Sequence, residues 1–207
     1  HVAVRRQRQM CIRDSISIAE EETLLILGDS ISAGYGINKK DNWVFLMQQK
    51  FYEEGKSIKL INSSVSGDTT GGGLGRLAKN LKKFNPDFVL IELGGNDALR
   101  GYSINLIKSN LEKMIALAKQ NKSKVLLMQI RIPPNYGQKY THAFEKIYVD
   151  LAQTEEVYLL PFMLEKIGIN SELMQPDGIH PNKKAQPQIA KEMKKNIDKF
   201  LLFNQSN

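Results

Sequence analysis

The chain has one cysteine, Cys11, in 207 residues, so neither an internal disulfide framework nor a cysteine-based zinc site is available. It has three histidines, His1, His142 and His180, too few for a multi-histidine metal centre. No apolar run approaches the roughly 18 residues that a membrane-spanning helix needs. Seven prolines and fifteen glycines are too few for a collagen-like or low-complexity chain. No G-x-x-x-x-G-K-[ST], G-x-G-x-x-G, G-x-S-x-G or H-E-x-x-H occurs. Phosphate-loop, dinucleotide, α/β-hydrolase and zincin readings therefore lack their motifs.

What is present is ordinary for one globular domain: 42% hydrophobic and 25% charged residues. The net charge is +7, but the basic residues are scattered over helical stretches and do not interleave with aromatics. That pattern predicts no nucleic-acid partner. Residues 1–20 stand apart. HVAVRRQRQMCIRDS has neither helix nor strand period, and Ser17-Ile18-Ala19 has the small-x-small pattern that ends a signal peptide. Two readings stand open: a signal-peptide remnant joined to foreign sequence, or a native tail. Both place the domain at 21–207.

From there, apolar runs alternate with amphipathic stretches. Strands are expected at 23–27, 58–63, 87–93, 124–130 and 157–160. Helices are expected at 43–54, 71–83, 103–120, 140–154 and 183–203. The runs TLLIL and DFVLIEL are apolar on both faces, as in a parallel sheet covered on both sides. Right-handed crossovers then build a three-layer α/β/α sandwich. Ligands of such sheets bind beyond the carboxyl ends of the strands.

Four polar or glycine-rich clusters fall at those ends: Gly28-Asp29-Ser30, Ser66-Gly67-Asp68, Gly94-Gly95-Asn96-Asp97 and, before the last helix, Asp177-Gly178-Ile179-His180-Pro181. Each alone reads as a turn, a loop or a helix cap. Together they supply a nucleophile, a base, an orienting carboxylate and amide donors. Ser30 needs a base to attack a carbonyl. His180 is the one histidine in such a cluster, and Asp177, three residues before it, can reach its Nδ1 and leave Nε2 for the serine proton. The Ser30 N–H, the Gly67 N–H and the Asn96 side-chain amide are the candidate oxyanion donors.

These four blocks resemble the signature of the SGNH, or GDSL-type, hydrolases. The longer runs LLILGDSISAGYG, SGDTTGGGLGRL, ELGGNDALRG, LLMQIRIPPNYG and DGIHPNKKAQP are similar to the bacterial thioesterase/lysophospholipase group within that family. The resemblance covers residues 23–203 and departs only before residue 20. It implies a flavodoxin-like sandwich with a five-stranded parallel sheet. It also implies catalytic Ser30, Asp177 and His180 and an oxyanion hole of Ser30, Gly67 and Asn96. Asp29, Ala98, Leu99, Arg100, Ile132, Pro133 and Tyr136 become expected substrate contacts, with 98–103 as a mobile loop beside an acyl groove. No metal and no cofactor are implied. The expected substrate is an acyl ester or thioester, such as acyl-CoA, a lysophospholipid or an aryl ester, and the expected setting is a monomer in the periplasm or outside the cell. A short-chain or carbohydrate acetylesterase of the same fold, and a non-enzymatic anion-binding module, are the alternatives. The catalytic letters do not separate the two esterases, because chain length is chosen by pocket shape.

Overall fold

A computed structural model describes residues 21–205. The expected separation of residues 1–20 lies outside the described residues. Five parallel strands form one sheet: β1 (Glu22–Gly28), β2 (Ile58–Asn62), β3 (Phe88–Glu92), β4 (Lys124–Met128) and β5 (Tyr158–Leu160). Their order is β2-β1-β3-β4-β5, the flavodoxin-like arrangement. The central strands are the most apolar, and β3 is buried along its whole length. The edge strand β2 is only partly covered and carries polar Lys59 and Asn62 among its apolar residues.

Helices α1 (Ser30–Ala33), α2 (Trp43–Glu53), α3 (Thr70–Phe84), α4 (Gly95–Leu99), α5 (Ile104–Gln120), α6 (Gln138–Thr154) and α7 (Gln186–Gln205) fill the connections. On one face α2 packs on α7; on the other α3 packs on α5, and α5 on α6. This split follows from right-handed crossovers that change direction once, between β1 and β3. Helices α2 and α3 start where a side chain satisfies a free N–H group. Asn42 accepts from the Val44 N–H at 2.7 Å, and Thr69 from the Gly72 N–H at 3.2 Å. In α2, Trp43, Val44, Met47 and Phe51 form the buried stripe; in α5, Ile107, Leu111, Met114, Ile115 and Ala118 do.

Two expectations need correction. The closing helix does not begin at Lys183. Asn182 caps a 3₁₀ turn over Lys183–Ala185, and the α-helix begins at Gln186, with Pro187 in the first turn, where its missing N–H is harmless. The segment after Gly94-Gly95 is also more than a turn. It is the short helix α4, so Ala98 and Leu99 are helical, and only the stretch from Arg100 to Ser103 links to α5.

Candidate active site

The direction of the sheet changes between β1 and β3, and the chain leaving each strand carries a candidate residue. Ser30 is the first residue of α1, and Asp29 caps that helix by accepting the Ile31 N–H at 3.0 Å. As the first helical residue, Ser30 has no intrahelical acceptor for its own N–H. Asn96 lies in the first turn of α4, directly after β3. Gly94 makes that turn possible. Its φ is +117°, and a Cβ there would come within 2.1 Å of the Tyr148 Oη. That hydroxyl is fixed by donating to the Leu93 carbonyl at 2.9 Å. The turn is anchored further by Asp97, which is buried and accepts from the Thr70 N–H at 2.8 Å and the Thr70 hydroxyl at 2.5 Å.

The candidate base comes from the other end of the chain. The loop before α7 is folded back on itself: the Gln175 N–H donates to the His180 carbonyl at 2.7 Å, and Met174 bridges Pro181. Gln175 Nε2 also donates to the Tyr35 carbonyl at 2.8 Å, which ties this loop to the turn after α1. Asp177 Oδ1 accepts the Ile179 and His180 N–H groups at 2.9 and 3.0 Å. Its Oδ2 lies 2.7 Å from His180 Nδ1, and His180 Nε2 lies 2.8 Å from Ser30 Oγ. An ionised carboxylate only accepts, so Nδ1 carries the ring proton and Nε2 accepts the serine O–H. The imidazole rests against the Tyr35 ring at 4.6 Å between centroids. Partial burial opposes the Asp177 charge, but the two backbone N–H groups and the imidazole outweigh it and hold its carboxyl down at about 2.

Asn96 Nδ2 donates to Asp29 Oδ2 at 3.1 Å, which leaves the second amide N–H for another acceptor. Gly67 sits in the exposed loop after β2, where its carbonyl accepts from Arg100 Nη2 at 3.1 Å. Beneath Ser30 lies Glu92, the last residue of β3. It is 2% exposed, and its Oε2 accepts the Asp29 N–H at 3.2 Å and the Ser32 hydroxyl at 2.7 Å.

Ser30, Asn96 and His180 open on a cavity of about 410 Å³. Of the expected substrate contacts, Asp29, Leu99, Ile132 and Pro133 line it. Ala98, Arg100 and Tyr136 do not. Ala98 is 0% exposed because it faces the core. Arg100 is held by the Gly67 carbonyl, and Tyr136 sits exposed in the 3₁₀ turn Pro134–Tyr136, outside the lining. Further lining residues went unassigned in the sequence: Phe162, Leu164, Ile169, Met174 and Ile179. The available signal was a scatter of apolar residues between β5 and His180 with no helix or strand period. Glu92 was also missed, although one acid closing an otherwise apolar strand marks a buried carboxyl.

The arrangement is a serine hydroxyl within reach of an oriented imidazole, with amide donors nearby and an apolar cavity in front. The GDSL-like lipase/acylhydrolase family matches residues 26–186. An arylesterase of Vibrio mimicus is 48% identical over 180 residues, spanning 87% of this chain and 90% of that protein. The thioesterase 1/protease 1/lysophospholipase L1 of Escherichia coli strain K12 is 45% identical over 179 residues, 86% of this chain and 85% of that protein. The crystal structure of the psychrotrophic esterase EstA from Pseudoalteromonas sp., inhibited by monoethylphosphonate, superposes with a TM-score of 0.86 at 43% identity and covers 87% of this chain and 98% of that one. On this agreement of sequence and architecture, the chain belongs to the GDSL-like lipase/acylhydrolase family.

Proposed function

We propose that this chain hydrolyses carboxylic esters and fatty acyl thioesters, acyl-CoA, lysophospholipids and aryl esters among them, through an acyl-enzyme on Ser30. The observation that carries this reading is the contact chain Asp177–His180–Ser30, at 2.7 and 2.8 Å, opening on an apolar cavity. His180 Nε2 takes the Ser30 proton as Oγ bonds to the carbonyl carbon. The oxygen that gains charge accepts from the Ser30 N–H, the Gly67 N–H and the second Asn96 N–H. When the carbonyl re-forms, the bond to the leaving thiolate or alkoxide breaks, and His180 returns the proton to it. Water then repeats the sequence on the acyl-enzyme and frees the acid. Leu99, Ile132 and Pro133 hold the acyl chain together with the lining residues between Phe162 and Ile179.

The test is hydrolysis of p-nitrophenyl esters from acetate to palmitate, and of palmitoyl-CoA, by native protein and Ser30→Ala. Serine-dependent turnover that rises with chain length supports the proposal. Turnover confined to acetate moves the substrate to short acyl groups, and turnover unchanged in Ser30→Ala removes Ser30 from the chemistry. We further place the enzyme in the periplasm or outside the cell, supported by Ser17-Ile18-Ala19 and the family resemblance, and take it to act as a monomer. No helix among the described residues is long and apolar enough to cross a membrane.

A further inference from the structure

Of the three expected oxyanion donors, Gly67 has the least support from regular structure. Ser30 begins α1 and Asn96 lies in α4. Gly67 belongs to the loop between β2 and α3, past Asn62, where the pairing of the edge strand with β1 ends. Its turn is closed by the Asp68 N–H, which donates to the Val65 carbonyl at 3.1 Å. Gly67 takes the third place in that turn with a φ of +78°, which a side chain would oppose. Its N–H makes no hydrogen bond among the described residues, so it is available to a ligand.

Backbone contact between this loop and β1 stops at Val65, whose N–H donates to the Gly28 carbonyl at 3.1 Å. Beyond that point a side chain makes the join. Arg76, in α3, donates through Nη2 to the Gly28 carbonyl at 3.1 Å, through Nη1 to the Ser63 carbonyl, and through Nε to Asp68 Oδ2 at 2.7 Å. Gly28 lies two residues before Ser30, and Asp68 directly follows Gly67. One planar guanidinium therefore grips the chain beside two of the three donors. Asp68 is itself fixed. Its Oδ1 accepts the Thr69 N–H at 3.0 Å, and it fits because a Cβ at Gly72 would overlap that oxygen. The Arg76 and Asp68 side chains are 22% and 11% exposed, so this charge-assisted bond is largely shielded from water. Arg100 also reaches the turn, at the Gly67 carbonyl, but from an exposed position where such contacts restrain little.

We propose that Arg76 and Asp68 are positioning residues for the oxyanion hole: the guanidinium, bound at once to the Gly28 carbonyl and the Asp68 carboxylate, sets the spacing between the Ser30 and Gly67 N–H donors. This rests on the roles given above to Ser30 and Gly67. Shape, not charge, is what the position requires. Lysine at 76 would keep the charge, but it has one nitrogen in place of a rigid fork and cannot hold the three acceptors in their places. An arginine acting only through its field would be replaced by lysine without loss.

The test compares native protein, Arg76→Lys, Asp68→Asn and the double variant. Each is labelled to completion with a serine-directed phosphonate, so that kcat is counted per competent site. Either single variant should lower kcat on a p-nitrophenyl ester about tenfold or more, because a misplaced donor forfeits part of its effect, while KM changes less than about twofold. The double variant should fall no further than the more damaged single, since both break one link. A trifluoromethyl ketone supplies a second readout. Ser30 Oγ adds to its carbonyl carbon, and the oxygen that gains the charge occupies the same hole. Its affinity should fall by the same factor as kcat/KM. A kcat per labelled site that stays native in Arg76→Lys overturns the proposal, even if the melting temperature drops. So do losses confined to KM, additive losses in the double variant, or a kcat loss with ketone affinity unchanged. If one single variant does not fold, the other still decides. Turnover that persists in Ser30→Ala refutes the Ser30 reading itself; serine-dependent turnover that is untouched in both single variants refutes only the link through Arg76 and Asp68.

Discussion

Two sets of carboxyl groups flank Ser30, and their surroundings push them in opposite directions. Asp177 sits in an exposed loop, accepts three hydrogen bonds, and is held down to about 2. Asp29 and Glu92 sit under the floor, where burial raises both. The same functional group is thus stabilised in its charged form on one side of the serine and opposed in it on the other. The difference teaches that the role follows from hydration and donor count, not from residue type. It also separates their effects: the exposed carboxylate should govern the chemical step, and the buried pair should govern geometry and the pH dependence of stability.

The strongest way to break this comparison is Asp177→Asn. The new amide can donate to Nδ1 and favour the tautomer that carries its proton on Nε2, which cannot accept from Ser30. By analogy with measured triads, kcat should fall roughly 10³–10⁴-fold while the melting temperature at pH 7 changes little. A loss under tenfold would show that Asp177 only shapes the loop. On the other side of the serine, Asn96→Ala should lower kcat by roughly 10²–10³-fold with the fold intact, as measured for single oxyanion donors. An unchanged rate would remove Asn96 from the oxyanion hole.

The third prediction concerns stability. Glu92 has a folded-state pKa above its unfolded value of 4.5, so above that value the native state holds a proton that the unfolded chain releases. Its contribution to stability therefore declines as pH rises, by about 1.4 kcal/mol per pH unit until the folded pKa is reached. Glu92→Gln removes this slope, so its melting temperature should gain on the native protein as pH rises above about 4.5. Asp177 adds no slope there, because it is ionised in both states across that window; its stabilisation is present above about pH 4 and is lost as pH falls through about 2. A melting-temperature gap that stays constant with pH would contradict the upward shift of Glu92. The smallest effect belongs to the cavity rim. Ile169 is 86% exposed, and Ile169→Ser should raise KM for a palmitoyl ester by roughly threefold to tenfold and change an acetyl ester least. Equal changes across the series would place the acyl chain elsewhere.

Much of this was legible before any coordinates. Strands β1 and β3 announce themselves as TLLIL and DFVLIEL, because a strand buried on both faces has no polar alternation to obscure it. Ser30, Gly67, Asn96, Asp177 and His180 stand out because each lies in a glycine- or turn-rich break after an apolar run or before the last helix. The segment from Phe162 to Ile179 was opaque for the opposite reason. It has neither the 3.6 nor the 2 period that ties spacing to facing, so which of its apolar residues line the cavity depends on how the loop folds back through Gln175 and Met174. Ala98, Arg100 and Tyr136 were expected at the groove from the family resemblance; Ala98 instead faces the core from α4, Arg100 is held by the Gly67 carbonyl, and Tyr136 sits exposed in the 3₁₀ turn Pro134–Tyr136.

By itself the sequence determined the alternation of elements, the doubly covered sheet and the placement of four polar clusters, since these rest on local periodicity and on breaks in it. Only the tertiary structure decided which carboxyls are pushed up and which is held down, and which Asn96 N–H remains free. Asp29 and Glu92 are 63 residues apart in the chain, and Asp29 and Asn96 are 67 apart. A pKa or an amide orientation is set by desolvation and by the donors within hydrogen-bond reach, and those exist only once β1 and β3 lie side by side.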